Sequence, residues 1–301
     1  MNILYLGVHY SNNETSWRTE TFIYNAFINQ KINVDRIDYR KLLKSSNGKE
    51  QLEKKILSNI SNYDAVFIQR GEGIPLETIS LIKLPIIFWS TEPINRNKDV
   101  DYLLNSNLFS WIYFHTYSCI ERMEKNFPHL ITKSSVLHNA LAKEKINLTN
   151  NSRKYFSIFN RNVSWRRWYW LLWNKKNVKV IKGRYGDLYY KDLNNSYISV
   201  NIHYSSKSLD DFETGIFEAM ASGCVVISEK IRNIVLKDLH LTDAIIQVNN
   251  PTELNEKLAY FNNNLSELKK YQTKSNKAIH LNTWDYRIKE IINKFNQLIL
   301  K

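Results

Sequence analysis

Two doubly wound α/β domains, each built on a parallel sheet, are the architecture this sequence predicts, and three observations predict it. Short apolar runs alternate with helix-like segments along the whole chain, which is the pattern of consecutive βαβ units. At 301 residues the chain exceeds what one small core usually serves. A polar stretch rich in Lys and Asn, Ala142–Arg153, interrupts the alternation near its middle and reads as a linker. The domains expected are therefore 1–141 and 154–280, with a separate helix in 281–301.

Taken in order, Asn2–Val8 is a strand, and the polar loop His9–Trp17 leads into a helix with Phe22, Ile23, Ala26 and Phe27 on one face. Val34–Ile37 is a strand, and a charged helix from Lys49 to Ser61 carries Leu52, Ile56 and Ile60 on one side. Ala65–Gln69, Pro85–Trp89 and Trp111–His115 are buried strands, with a tight loop from Arg70 to Gly73 after the first of them. Cys119–Phe127 is a helix and Val136–Leu137 closes the first series. The second series begins with strand Tyr155–Phe159, helix Trp165–Trp173, strand Val178–Ile181 and the turn Gly183–Gly186. Trp165, Trp168, Tyr169 and Leu172 fall at helical spacing and are expected to be the buried face of their helix. Ala244–Val248 is a further strand, and Asn250 caps a helix with Pro251 in its first turn. The tail Trp284–Leu300 places Ile288, Ile291, Ile292, Phe295, Leu298 and Ile299 on one stripe that has to be buried somewhere.

Composition narrows the function classes. No apolar run approaches the roughly 20 residues needed to span a bilayer, and the first residues enter a strand pattern without a basic leader region. A cytoplasmic location is the expectation, with peripheral association at the inner face of the membrane open to a chain of formal charge +13. That charge invites an anionic partner, and nucleotide phosphates are the simplest one. Cys119 and Cys224 stand far apart without metal-ligand spacing and read as buried thiols. The first loop lacks the G-x-G-x-x-G fingerprint, so nothing supports dinucleotide binding there. No Asp-x-Asp precedes an apolar strand and no His pair sits at helical spacing, so no metal and no cofactor is expected.

The most informative stretch is Tyr197–Ser228: a strand with Ile198, Val200 and Ile202 alternating, an acidic hydroxyl-rich loop, a short helix from Thr214 to Ser222-Gly223, and the strand Cys224–Ile227. Thr214 is expected to cap that helix, and its free N–H groups at Thr214–Ile216 suit a phosphate. Asp210 and Glu218 flank the same point, and carboxylates beside a phosphate site suit sugar or ribose hydroxyls. The order Asp210, Phe212, Glu213, Glu218-Ala219, Ser222-Gly223 and Val225–Ile227 resembles the nucleotide-sugar site of GT-B glycosyltransferases, notably the family-4 and CgeB-like spore-maturation groups. Asp replaces the usual first Glu, and Glu213 replaces the usual Gly. The resemblance implies two Rossmann-like domains facing a cleft, a C-terminal helix crossing back to the first domain, and sugar transfer from a nucleotide diphosphate sugar to a glycan, lipid-linked or protein acceptor, in polysaccharide biosynthesis, with retention of configuration and without a metal.

The resemblance also assigns roles. Arg161, just after a strand, matches a donor-phosphate ligand, and Arg166 or Arg167 approximates a second one. Gly183, opening the turn to Gly186, falls where family members contact the nucleotide base through backbone atoms, and Thr214 and Gly215 open the phosphate-side helix; Lys182, by its own charge, is within reach of a phosphate or simply exposed. Glu92, before Pro93, matches an acid that would work on the acceptor, and His115 is the alternative base. His9, Arg70 and Glu72 are further residues that follow strands in the first half. The bland alternative at each position is a solvated or satisfied side chain. A reading of a different class is single-stranded nucleic acid bound by the interleaved Trp and Arg of 161–173, which requires exposed aromatics.

Overall fold

The computed structural model describes residues 1–9, 18–91, 94, 97–148, 152–204 and 213–300. The chain divides into two units, Met1–Asn139 with Trp284–Lys301, and Ala140–Thr283.

The first unit runs β1 (Asn2–Gly7), α1 (Thr19–Asn29), β2 (Asn33–Asp38), α2 (Tyr39–Leu43), α3 (Gly48–Leu57), β3 (Ala65–Gln69), α4 (Leu76–Ser80), β4 (Ile86–Ser90), α5 (Lys98–Asn105), β5 (Trp111–Phe114), α6 (Tyr117–Asn126) and β6 (Ser134–Val136). Its six strands are ordered β2-β1-β3-β4-β5-β6, with every pair parallel. β3 and β4 are buried at every position, which is why AVFIQ and IIFWS read as unbroken apolar runs rather than alternating ones. On one sheet face Leu4, Leu6, Val66, Ile68 and Phe88 join a continuous core with Leu52 and Ile56 of α3. On the other, Tyr5, Phe27 and Phe67 pack with ring centroids 5.2 to 6.4 Å apart.

The second unit runs β7 (Tyr155–Phe159), α7 (Trp165–Trp173), β8 (Lys179–Val180), α8 (Gly186–Asn194), β9 (Ser196–Asn201), α9 (Gly215–Ala221), β10 (Val225–Glu229), α10 (Asn233–Asp238), β11 (Ile245–Val248), α11 (Pro251–Asn263) and α12 (Leu265–Ile279). Five parallel strands take the order β11-β10-β9-β7-β8. Asn250 caps α11 as the sequence implies, its Oδ1 accepting from the Glu253 amide at 2.9 Å. The turn that closes α9 needs Gly223: its φ is +73°, and a Cβ there would lie 2.6 Å from Arg153 Nη2.

Two expectations change. The ends of Ala142–Arg153 are held by the second unit rather than free. Leu141 donates its amide to the Asn282 carbonyl at 3.0 Å, Ala142 is buried, and Arg153 Nη2 donates to the Ser222 carbonyl at 3.1 Å. More consequentially, α7 is turned the other way. Arg167, Trp170 and Leu171 are its buried residues, while Trp165, Trp168, Tyr169 and Leu172 are exposed. The apolar stripe exists, but the arginine face is the one that meets the sheet.

The last helix, α13 (Trp284–Ile299), belongs to the first unit, where it packs along α1 and places Asn29 Nδ2 3.0 Å from Asp285 Oδ1. Trp284, Ile288, Ile291 and Phe295 are buried, and Trp284 meets Trp89 edge to face at 5.1 Å. Ile299 is exposed. Trp284→Ala should therefore open a cavity and lower that unit's unfolding free energy by about 3–5 kcal/mol. Leu300→Ala, at the exposed end, should change it by less than about 0.5 kcal/mol in the same urea titration.

Candidate functional site

In open parallel sheets ligands collect beyond the carboxyl ends of the strands where the strand order reverses, because the flanking loops part there. In the second unit that point is β7, whose neighbours are β8 on one side and β9 on the other. Asn160 and Arg161 follow β7 directly, and Asn201 ends β9. Arg161 Nη1 donates to Asn201 Oδ1 and, at 2.6 Å, to Glu213 Oε2. Asn201 is held in turn by its Nδ2 donating to Ser228 Oγ at 2.8 Å. The other oxygen of Glu213 takes Arg167 Nη2, and Arg167 is fixed further by donating to the carbonyls of Ile202 at 2.8 Å and Asn162 at 2.9 Å. One carboxylate thus serves two guanidinium groups whose side chains are only 8% and 4% exposed.

This pairing leaves charge and donors over. Nε and Nη2 of Arg161 and both amide atoms of Asn160 are buried without a partner among the described residues. Leaving such a group unpaired costs about 1–3 kcal/mol, so a cluster of them at a strand end is a candidate for a ligand or ordered water to complete the bonding. The Arg161 guanidinium lies against Gly215, where a Cβ would come within 2.6 Å of Nη2. Only glycine at the start of α9 leaves Arg161 that position. Beside it, Glu218 accepts from the hydroxyls of Tyr189 and Tyr190 on α8. Burial pushes the Glu218 carboxyl above the ordinary range, against the pull of those hydrogen bonds and the Arg161 charge.

Other expected residues stand apart from this network. Arg166 is paired by both arms with Glu229 and donates to the His203 carbonyl at 3.0 Å, so it is an anchor of α7 rather than a spare cation. Thr214 is exposed and makes no side-chain cap, and the Ile216 amide already donates to the Glu213 carbonyl at 2.9 Å. The expected cradle of free amides at Thr214–Ile216 is therefore partly closed. Glu213 is the shared anchor of two arginines. Lys182 is exposed, as is Gly183 in a turn with φ +66°. Asp210, Phe212 and Glu92 lie outside the described residues.

The first unit has its own reversal point at β1, between β2 and β3. A polar cavity of about 200 Å³ sits there, lined by Thr19, Glu20, Gln69, Arg70, Thr91 and Asn139 among others. Glu20 is buried in the first turn of α1, and burial raises its carboxyl above the usual range. Gln69 is fixed by the Tyr5 hydroxyl. His9 stacks edge to face on Tyr5 at 4.6 Å, and burial, with the Arg36 charge, pulls its imidazole down to about 4. Glu72 is taken up by Tyr39, Arg40 and Arg70. His115 is not among the lining residues; its Nδ1 lies 3.3 Å from the Ser90 carbonyl and 3.8 Å from Cys119 Sγ. A larger cavity of about 510 Å³ opens beside Trp111 and Lys294, at the amino end of β5 and away from the carboxyl ends of this sheet.

Sequence reasoning missed Glu20, Gln69, Asn201, Tyr189 and Tyr190. Glu20 left a legible trace, since it stands on the stripe of Ile23 and Phe27 at spacings of three and seven. Tyr189 and Tyr190 left none, because their partner Glu218 lies on another helix, distant in sequence. Among the described residues no three His, Cys, Asp or Glu side chains cluster to hold a metal ion.

Removing the shared carboxylate should be felt in folding. Glu213 is partly exposed, so Glu213→Gln is expected to cost about 1–3 kcal/mol, between the values for surface and buried ion pairs. Thr214→Ala, next to it but unbonded, should be silent in the same thermal and chemical melts.

The profile of a family described as glycosyl transferase-like matches residues 137–293, just over half of the chain. Among solved structures, a glycosyltransferase from Rickettsia africae ESF-5 aligns with 100% of this chain and 98% of its own at 13% identity, TM-score 0.66. HepE from Anabaena in complex with UDP covers 98% of this chain and 100% of its own at 11% identity, TM-score 0.60. The DNA-modifying β-glucosyltransferase, solved with and without uridine diphosphoglucose, covers 100% of both chains at 11% identity, TM-score 0.62. No curated protein sequence matches the chain. At these identities the likeness establishes the fold, the GT-B architecture of two Rossmann-like units, and the family profile adds what shape alone does not. Its match spans the whole of the second unit, including Arg161 after β7 and Glu218 on α9, and on that ground the chain belongs to the glycosyl transferase-like family.

Proposed function

We propose that this protein transfers a sugar from a nucleoside diphosphate sugar to an acceptor hydroxyl, the acceptor being a glycan, a lipid-linked sugar or a protein. The observation that carries the reading is Arg161, a buried guanidinium with Nε and Nη2 unpartnered among the described residues at the reversal point of the second sheet. In the transfer the bond from the anomeric carbon to the diphosphate oxygen breaks and one to the acceptor oxygen forms. Negative charge grows on the departing diphosphate, and Arg161 supplies the N–H groups of two nitrogens and a positive charge to it. Glu218 has acceptor capacity beyond its two tyrosine partners, which suits the ribose hydroxyls. HepE solved with UDP and with UDP-glucose supports a uridine nucleotide as the first donor to try.

Retention of configuration and independence of metal belong to this reading, with the arginine taking the electrophilic role, as does a cytoplasmic place in polysaccharide assembly. For the acceptor hydroxyl proton, the buried Glu20 carboxyl of the first unit is the base this reading assigns. Single-stranded nucleic acid binding is a second reading, favoured by one observation, the exposed aromatics of α7.

Thermal shift and turnover against a panel of nucleotides and nucleotide sugars test the proposal. One diphosphate nucleotide should stabilise the protein, and turnover should persist with chelator present. Arg161→Ala should lower turnover about 10²–10³-fold, more than it weakens binding. Glu218→Ala should cost about 1.5–3 kcal/mol of nucleotide affinity. Glu20→Gln should depress turnover while leaving donor binding intact. Normal turnover in a folded Arg161→Ala protein would sink the donor-site assignment.

A further inference from the structure

The donor reading leaves the outer face of α7 without a role. Five large side chains stand there in solvent: Trp165 is 80% exposed, Trp168 44%, Tyr169 51%, Leu172 44% and Trp173 62%. Their spacings of three, four, seven and eight residues put them on one side of the helix, about 14 Å long. Exposed apolar residues are ordinary when scattered, but a contiguous aromatic face on a soluble surface marks an interaction site. The charge in the flanking sequence has one sign, while the neighbouring helix α11 carries Glu253 and Glu256. From Arg153 to Gly186 the sequence contains no Asp or Glu, and Lys175, Lys176, Lys179 and Lys182 are exposed just beyond the helix. No helix of the described residues is long and apolar enough to cross a membrane.

We propose that this face docks the protein on an anionic lipid surface, α7 lying in the plane of the interface. Tryptophan and tyrosine rings are favoured at headgroup depth, where one end is apolar and the other wet, and neighbouring lysines keep their ammonium groups at the lipid phosphates. Two details favour lipid over single-stranded nucleic acid, which also pairs aromatics with cations. Trp165 and Trp168 stack on each other at 4.9 Å and 25°, so each gives up a ring face that a base would need, and Leu172 in mid-stripe has no ring to offer. Arg166 and Arg167, which would follow a phosphodiester backbone, are withdrawn onto Glu229 and Glu213.

Co-sedimentation of the full chain with vesicles of phosphatidylcholine alone, and of equal parts phosphatidylcholine and phosphatidylglycerol, tests this. Binding is expected only to the anionic vesicles, with a blue shift of tryptophan fluorescence, and should weaken as salt is raised. The double variant Trp165→Ser with Trp168→Ser removes only exposed rings, so it should melt like the parent yet bind these vesicles at least about tenfold more weakly. Lys175→Glu with Lys176→Glu should also weaken binding. Failure to bind anionic vesicles, or undiminished binding by the folded Trp double variant, overturns the proposal. So does tighter binding to an oligothymidylate than to vesicles, lost in that same variant, which would give the face to nucleic acid.

Discussion

The sharing of Glu213 between Arg161 and Arg167 is the interaction on which the second unit is arranged. It ties the end of β7, the first turn of α7 and the approach to α9 to one carboxylate. A guanidinium can be buried when its donors are met, and Arg167 meets them with one carboxylate and two carbonyls. Arg161 meets only part of its need, its Nε and Nη2 having no partner among the described residues.

The same arrangement explains the turn of α7. A helix face carrying arginines is buried here with each guanidinium on a carboxylate, and breaking those pairs to bury the opposite tryptophans would leave unpaired charge in the interior. With Arg166 on Glu229 and Arg167 on Glu213, Trp165, Trp168 and Tyr169 are left outside. Gly215 fits the same logic: its missing side chain is the space that Arg161 occupies.

Both sheets reverse strand order around their first strand, so each unit opens its loops at one carboxyl-end location. The chemistry placed at those locations differs. The second unit presents two buried guanidinium groups on one carboxylate. The first holds a buried carboxyl and amide, Glu20 and Gln69.

Much of this was legible in the sequence alone. The alternation of apolar runs and helical periods fixes the parallel sheets, since strands buried on both faces must be apolar throughout. The strand and helix bounds at Ala65–Gln69, Tyr155–Phe159 and Trp165–Trp173 follow from it, and so does the position of Arg161 after a strand. What the tertiary structure decided was which side of each stripe meets the core, and which charges find partners. Periodicity defines a face but carries no sign, so α7 could be placed and not oriented. Pairing depends on residues distant in sequence, Arg166 with Glu229 and Arg161 with Asn201, and no local pattern encodes it. Glu20 stands out only once the fold closes a cavity around it, because burial, not the residue type, is what raises its carboxyl.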